Sequence, residues 1–205
     1  ATKTIASGTL GLSAGYLILK QFTQLGSAPI NLTLNPTATY LQYGPLSSLG
    51  GNVTSVSPGL FFHGCTFNGT TDCTKNGSSG DYSQGGNVFN GVSNITNSGS
   101  SYLLLGNSNP DIWNDDVTFT NNGSERLLPC WATVGNMFNW NIYVNTSGSA
   151  QGITFCGGNS IATATLVATK TIASGTIGLN AGYLILKQFT QLGSVPINLT
   201  LNPTE

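Results

Sequence analysis

The chain has 205 residues, of which 6 are Lys or Arg and 7 are Asp or Glu, for a formal net charge of −1. So few and so scattered basic residues exclude the clustered cationic surface that nucleic-acid phosphates require. With 39% hydrophobic residues, the composition is also not the apolar-poor, highly charged mixture of a disordered chain. Its polar positions are filled by Thr, Ser, Asn and 27 Gly, residues that favour strands and turns over helices.

In chain order, the first element is TLGLSAGYLILKQF over residues 9–22. Its even positions Leu10, Leu12, Ala14, Tyr16, Ile18 and Phe22 are apolar, and Leu17 and Leu19 break the alternation. This is the period of a strand with one apolar face that becomes buried on both sides. APINLTLNP over 28–36 alternates again. After it come loops at 65–87, 97–101 and 106–111, then the short runs DVTFTNNGS (116–124), FNWNIYVN (138–145) and GITFCGG (152–158). No amphipathic helix period is found. Many short strands with Gly/Asn turns predict an all-β fold, a two-layer antiparallel β-sandwich of Ig-like or pilin-like type.

The two ends of the chain are near-copies. Residues 1–38 and 168–205 differ only at Leu10/Ile177, Ser13/Asn180, Ala28/Val195 and Ala38/Glu205. This divides the chain into an N-terminal arm (1–38), a head (39–167) and a second copy (168–205). One reading is a window on a tandem-repeat protein of period 167. The other is strand donation, in which a sandwich lacking one strand is completed by an alternating segment of a neighbour. The donor side chains are then Leu10, Leu12, Tyr16, Ile18 and Phe22 in one copy, and Ile177, Leu179, Tyr183, Ile185 and Phe189 in the other. Which terminus donates stays open.

The Asn-x-Ser/Thr pattern occurs at Asn31, Asn52, Asn68, Asn76, Asn94, Asn122, Asn145 and Asn198. Composition alone supplies several such matches. Position carries more weight, because Asn31, Asn145 and Asn198 fall on polar strand faces and Asn68, Asn76 and Asn122 precede glycine in loops. N-linked glycans and an extracellular location are the expectation. The four cysteines, Cys65, Cys73, Cys130 and Cys156, form no CxxC pair. Two disulfides are expected; three connectivities exist, and the local pairing Cys65–Cys73 with Cys130–Cys156 is favoured. The chain starts at Ala1, as a mature secreted product would, and contains no run of 18 apolar residues to span a membrane. With so few carboxylates, little stability should be lost on acidification, which suits acidic surroundings.

Catalytic constellations are weak. Asp115 and Asp116 are adjacent, so on a strand they point to opposite faces and do not converge as an acid dyad. His63 is the single histidine and cannot complete a zinc site alone. The expectation is no enzyme, no cofactor and no metal. Trp113, Trp131 and Trp140 are the candidate sugar platforms of a rival lectin-like or tandem-repeat adhesin reading, although Trp140 lies on an apparent core face.

The β-rich N-terminus, the Ser/Thr/Asn/Gly composition, the abundant sequons and the scarce charges resemble the subunits of archaeal surface threads, glycosylated filaments of thermoacidophiles. That resemblance implies a head-to-tail homopolymer joined by donor-strand complementation, serving adhesion or biofilm. It also implies isopeptide bonds between subunits, with Lys3 and Lys20 (and Lys170 and Lys187) as the amines and Asp111, Asp115, Asp116 or Glu125 as the neighbouring acid.

Overall fold

The computed structural model describes residues 9–12, 15–24, 29–129, 131, 136–140, 142–146, 153–155, 166–169, 176–180, 184–186, 189–192 and 198–202. The first coil holds β1 (Thr9–Leu12) and β2 (Leu17–Leu19). The second holds β3 (Asn31–Leu34), β4 (Leu41–Tyr43) and β5 (Ser47–Leu49), and the third β6 (Val53–Ser57), β7 (Leu60–Phe62) and β8 (Cys65–Phe67). Next come β9 (Thr71–Lys75), β10 (Asp81–Tyr82) and β11 (Val88–Phe89), then β12 (Ser93–Asn97), β13 (Leu103–Leu104) and β14 (Ile112–Trp113). The sixth coil has β15 (Val117–Asn121), β16 (Leu127–Leu128) and β17 (Asn136–Phe138), and the seventh β18 (Ile142–Thr146), β19 (Ile153–Phe155) and β20 (Leu166–Thr169). The last segments are β21 (Thr176–Asn180), β22 (Leu184–Leu186), β23 (Phe189–Leu192) and β24 (Asn198–Asn202).

Consecutive strands lie on different faces, and strands pair with their counterparts one coil on, except at β7 and β10 on face 2. Face 1 is a nine-stranded sheet in the order β1-β3-β6-β9-β12-β15-β18-β21-β24. Face 2 is a three-stranded sheet, β2-β4-β7, followed by a five-stranded one, β10-β13-β16-β19-β22. Face 3 is a seven-stranded sheet running from β5 to β23, and in the first coil Thr23 bridges Ser48 there. Every pairing between these strands is parallel.

The molecule is therefore a three-faced β-solenoid, and the expected antiparallel sandwich is wrong. A sandwich and a solenoid share short alternating strands and Gly/Asn turns; they differ in whether the next segment folds back or goes round a corner. FNWNIYVN, which reads as one alternating strand, goes round a corner. Phe138 ends β17 on face 3, Ile142 begins β18 on face 1, and both side chains are buried.

Alternation does fix what points inward. On face 1, Leu32, Val53, Val117 and Ile142 fall in one buried rank, and Leu34, Cys73, Ile95 and Phe119 in the next. On face 3 the inward rank is aromatic. Phe67 and Phe89 stack with centroids 4.8 Å apart, Phe89 and Trp113 at 3.8 Å, and Trp113 and Phe138 at 5.9 Å. Parallel in-register pairing places identical positions one strand spacing apart, about 4.8 Å, which is why flat rings stack.

The N-terminal segment is not a free arm here. β1 pairs with β3 and β2 with β4 in the same chain. The assigned apolar face also fails as a unit. Tyr16 and Ile18 are 62% and 39% exposed, while Leu19 is buried and Leu17 packs on the core. The positions that interrupt the sequence alternation are the ones that face inward. Phe22 does pack against the core, and Leu10 and Leu12 pair in register with the buried Leu32 and Leu34.

Cys65 and Cys73 are buried free thiols, so the expected Cys65–Cys73 bridge is not formed. Cys65 belongs to face 3 and Cys73 to face 1, where each fills a small inward position. Burial pushes the thiols up to about 12 and about 11, and the Tyr43 hydroxyl lies 3.5 Å from Cys73 Sγ. Cys130 and Cys156 lie outside the described residues.

Candidate functional site

The outer side of face 2 carries a departure from ordinary alternation. Tyr82, Leu104 and Leu128 share one outward rank across β10, β13 and β16. Outward residues should be wet, and Tyr82 is 53% exposed, yet Leu104 is only 2% exposed and Leu128 is buried as well. The covering groups come from loops. Tyr102, just before β13, meets Tyr82 edge to face with centroids 5.1 Å apart, and Trp131 follows β16. Together with Leu104, Leu128, Glu125 and Arg126 they line an open cavity of about 230 Å³.

Buried polar side chains hold these loops. Ser57, Lys75, Asn97 and Asn121 form an inward rank at the end of face 1. Asn97 Nδ2 donates to the carbonyls of Ser101 (3.1 Å), Glu125 (3.4 Å) and Arg126 (3.4 Å). Asn121 Nδ2 donates to the Glu125 carbonyl at 2.9 Å. Lys75 Nζ donates to the carbonyls of Gly77 (2.9 Å) and Ser101 (3.1 Å), and burial holds its ammonium below the ordinary lysine range. Asn97, seconded by Lys75 and Asn121, thus fixes the backbone that presents Tyr102 on one side of the cavity and Glu125 and Arg126 on the other. Gly80 lies against Tyr102, and a Cβ there would push the phenol ring aside. Burial, and then the hydrogen bond with Tyr82, push the Tyr102 phenol up to about 12, so it stays a neutral hydroxyl.

A second polar rank lines the corner into face 3. Asn87 Oδ1 accepts from Cys65 N–H at 2.9 Å. Asp111 Oδ1 accepts from Asn87 N–H (2.9 Å) and Nδ2 (2.8 Å), and Asn136 Oδ1 accepts from Asp111 N–H (2.8 Å). Where face 2 changes sheets, side chains replace carbonyls: Leu60 N–H donates to Asp81 Oδ2 at 2.6 Å and Phe62 N–H to Ser83 Oγ at 3.0 Å. Asp81 Oδ1 and Asp111 Oδ2 are buried without a hydrogen-bond partner.

The residues singled out from sequence scatter over this frame. Trp113 is sealed in the aromatic stack and offers no platform, Trp140 is half-buried, and Trp131 alone of the three lines the cavity. His63 packs its ring edge-on to Phe61, with Nε2 3.4 Å from the Tyr82 carbonyl. Asp115 Oδ1 accepts from Asp116 N–H at 2.8 Å, a local turn contact. Among the described residues no three His, Cys, Asp or Glu side chains converge as metal ligands, and no helix is long and apolar enough to cross a membrane. Of the proposed isopeptide groups, Lys20 is exposed, Asp111 is engaged in the corner rank, and Lys3 lies outside the described residues.

The sequon asparagines Asn31, Asn52, Asn68, Asn76, Asn94, Asn122 and Asn145 are all exposed, and the Asn198 side chain lies outside the described residues. Asn68 is constrained. Its Oδ1 accepts from Asn90 Nδ2 at 2.8 Å, and its own Nδ2, the atom a glycan takes, donates to Ser48 Oγ at 3.3 Å. That outer ladder continues, with Asn114 Nδ2 donating to Asn90 Oδ1 and Asn139 Nδ2 to Asn114 Oδ1, at 2.8 and 2.7 Å.

The signal for all this stood in the sequence as an aromatic–Asn dipeptide recurring once per coil: Phe67-Asn68, Phe89-Asn90, Trp113-Asn114, Phe138-Asn139. The ring stacks inside and the amide ladders outside. No protein-family model, curated protein or solved structure matches the chain.

Proposed function

We propose that the chain is a structural unit of an extracellular rod or filament, extended by stacking further copies of its own coils, with N-glycans on its flanks and adhesion as its task. One observation carries this reading. Thr9 pairs with Asn31 in the first copy of the repeat, and Thr176 pairs with Asn198 in the second, the same residue pair in the same register. Between the two copies, face 1 advances by seven strands, from β1 to β21. The 167-residue period is thus a whole number of coils, and β24 ends the chain with the sequence on which, as β3, the strand β6 is laid. Any further copy, in the same chain or another, continues the rod in phase.

This replaces the donated strand with a shared coil: residues 168–205 of one molecule can occupy the place of residues 1–38 of the next. Burying the five to seven apolar side chains of such a coil contributes on the order of 10 kcal/mol before ordering costs. The reading is non-enzymatic and needs no cofactor. Electron microscopy of the purified full chain tests it. Rods should grow in steps of about 34 Å, seven coils at strand spacing. Particles that stay at single-chain length at every concentration, with a fused second period failing to lengthen them, would sink it.

A further inference from the structure

We propose that the cavity over Tyr82, Tyr102 and Trp131 is a binding site for one neutral pyranose ring of a glycan. The inference is independent of the rod reading, since it rests on one lateral face of the coils between β10 and β16.

The cavity is built rather than incidental. Two leucines at outward positions are kept dry by aromatic groups, a glycine makes room for the Tyr102 ring, and the buried Asn97 amide fixes the loops on both sides. Its volume of about 230 Å³ lies below the roughly 300–1,000 Å³ that drug-sized ligands need, which suits a single ring. A pyranose has one face of C–H groups and an edge of hydroxyls. The aromatic walls match the first by C–H contact, with Leu104 and Leu128 buried beneath them. The phenol hydroxyls, the Glu125 carboxylate and the Arg126 guanidinium match the second, because vicinal hydroxyls both donate and accept. One acid and one base at the border cancel, so the site selects for a neutral ligand over a phosphate or a carboxylated sugar.

The test uses the full chain with its N-glycans removed enzymatically, so that no attached sugar can occupy the cavity. Saturation-transfer NMR is run with glucose, galactose, mannose and N-acetylglucosamine, alongside a glycan array. The expected result is transfer to the C–H face of at least one hexose, with a dissociation constant in the millimolar range. Trp131→Ala and Arg126→Gln should each weaken binding at least tenfold, with an unchanged circular dichroism melt. Arg126 is exposed, so that variant keeps the test readable if the tryptophan change unfolds the coil. No transfer from any of the four sugars and no array signal would overturn the proposal. So would binding that both variants leave intact.

Discussion

Two inward ladders run along the solenoid and solve the same geometric problem with opposite chemistry. On face 3, Phe67, Phe89, Trp113 and Phe138 stack flat and fill the interior. At the end of face 1, Ser57, Lys75, Asn97 and Asn121 are equally buried, but spend their polar atoms on corner carbonyls and glycine turns. The aromatic ladder supplies apolar burial, which is large and tolerant of where the chain turns. The polar ladder supplies hydrogen bonds whose net worth is small but whose absence leaves buried carbonyls unpaired. Stability and the location of corners are therefore set by different residues, and the candidate cavity depends on the second set.

The widest separation between the ladders should come from Trp113→Ala. It removes a ring stacked between Phe89 and Phe138 and touching Phe119, and a solenoid coil cannot collapse onto the gap without breaking register. A loss of about 3–5 kcal/mol in denaturant unfolding is expected. A loss under about 1 kcal/mol would show that the aromatic ladder is not the main source of stability.

Asn97→Ala should cost less, about 1–3 kcal/mol, since it takes the acceptor from the buried Gly99 N–H and one of two donors from each of the Ser101, Glu125 and Arg126 carbonyls, without removing much apolar area. Its signature is local. Amide hydrogen exchange should quicken at 99–102 and 123–126 while the amides of β11 and β14 keep their protection. Uniform quickening throughout would mean that the polar rank is part of the same cooperative core as the aromatic one.

Much of this was legible before any coordinates. All-β character followed from composition, and the inward rank of β3, Leu32 and Leu34, followed from alternation. The end-to-end repeat was plain as well, although its meaning changed once its register was seen. What misled was the treatment of each alternating run as a hairpin partner of the next. Alternation reports which side of a strand is wet and is silent on whether the following turn reverses the chain. Leu17 and Leu19 show the cost, because a phase chosen from six even positions put Tyr16 and Ile18 inside. The cavity was less accessible still. Leu104 and Leu128 are outward residues dried by loop aromatics, and only the in-register relation of Tyr82 to both explains why they pack together.

The smallest predicted effect concerns the carboxyls within the polar ranks. Burial pushes Asp81 up to about 7 and Asp111 up to about 6, and each has one buried oxygen without a partner. Folding therefore raises both above the unfolded value near 3.9. A raised carboxyl contributes its stability in full below the unfolded pKa and loses it as pH climbs through the folded one. The window runs from about pH 4 to about 7, and the direction is greater stability in acid. A protonated Asp111 has the shape of the asparagines on either side of it in the rank, Asn87 and Asn136, which is why an acid form suits that position. His63 works the other way, because burial holds it below its ordinary value, so its part is lost as pH falls; half-exposed, it is the weaker term. The protein should be more stable to denaturant at pH 4 than at pH 8. Asp111→Asn together with Asp81→Asn should flatten the profile, because the amide keeps the neutral shape at every pH. A wild-type profile that rises with pH, or a double variant that retains the slope, would place the titrating groups elsewhere and leave the polar ranks with a purely geometric role.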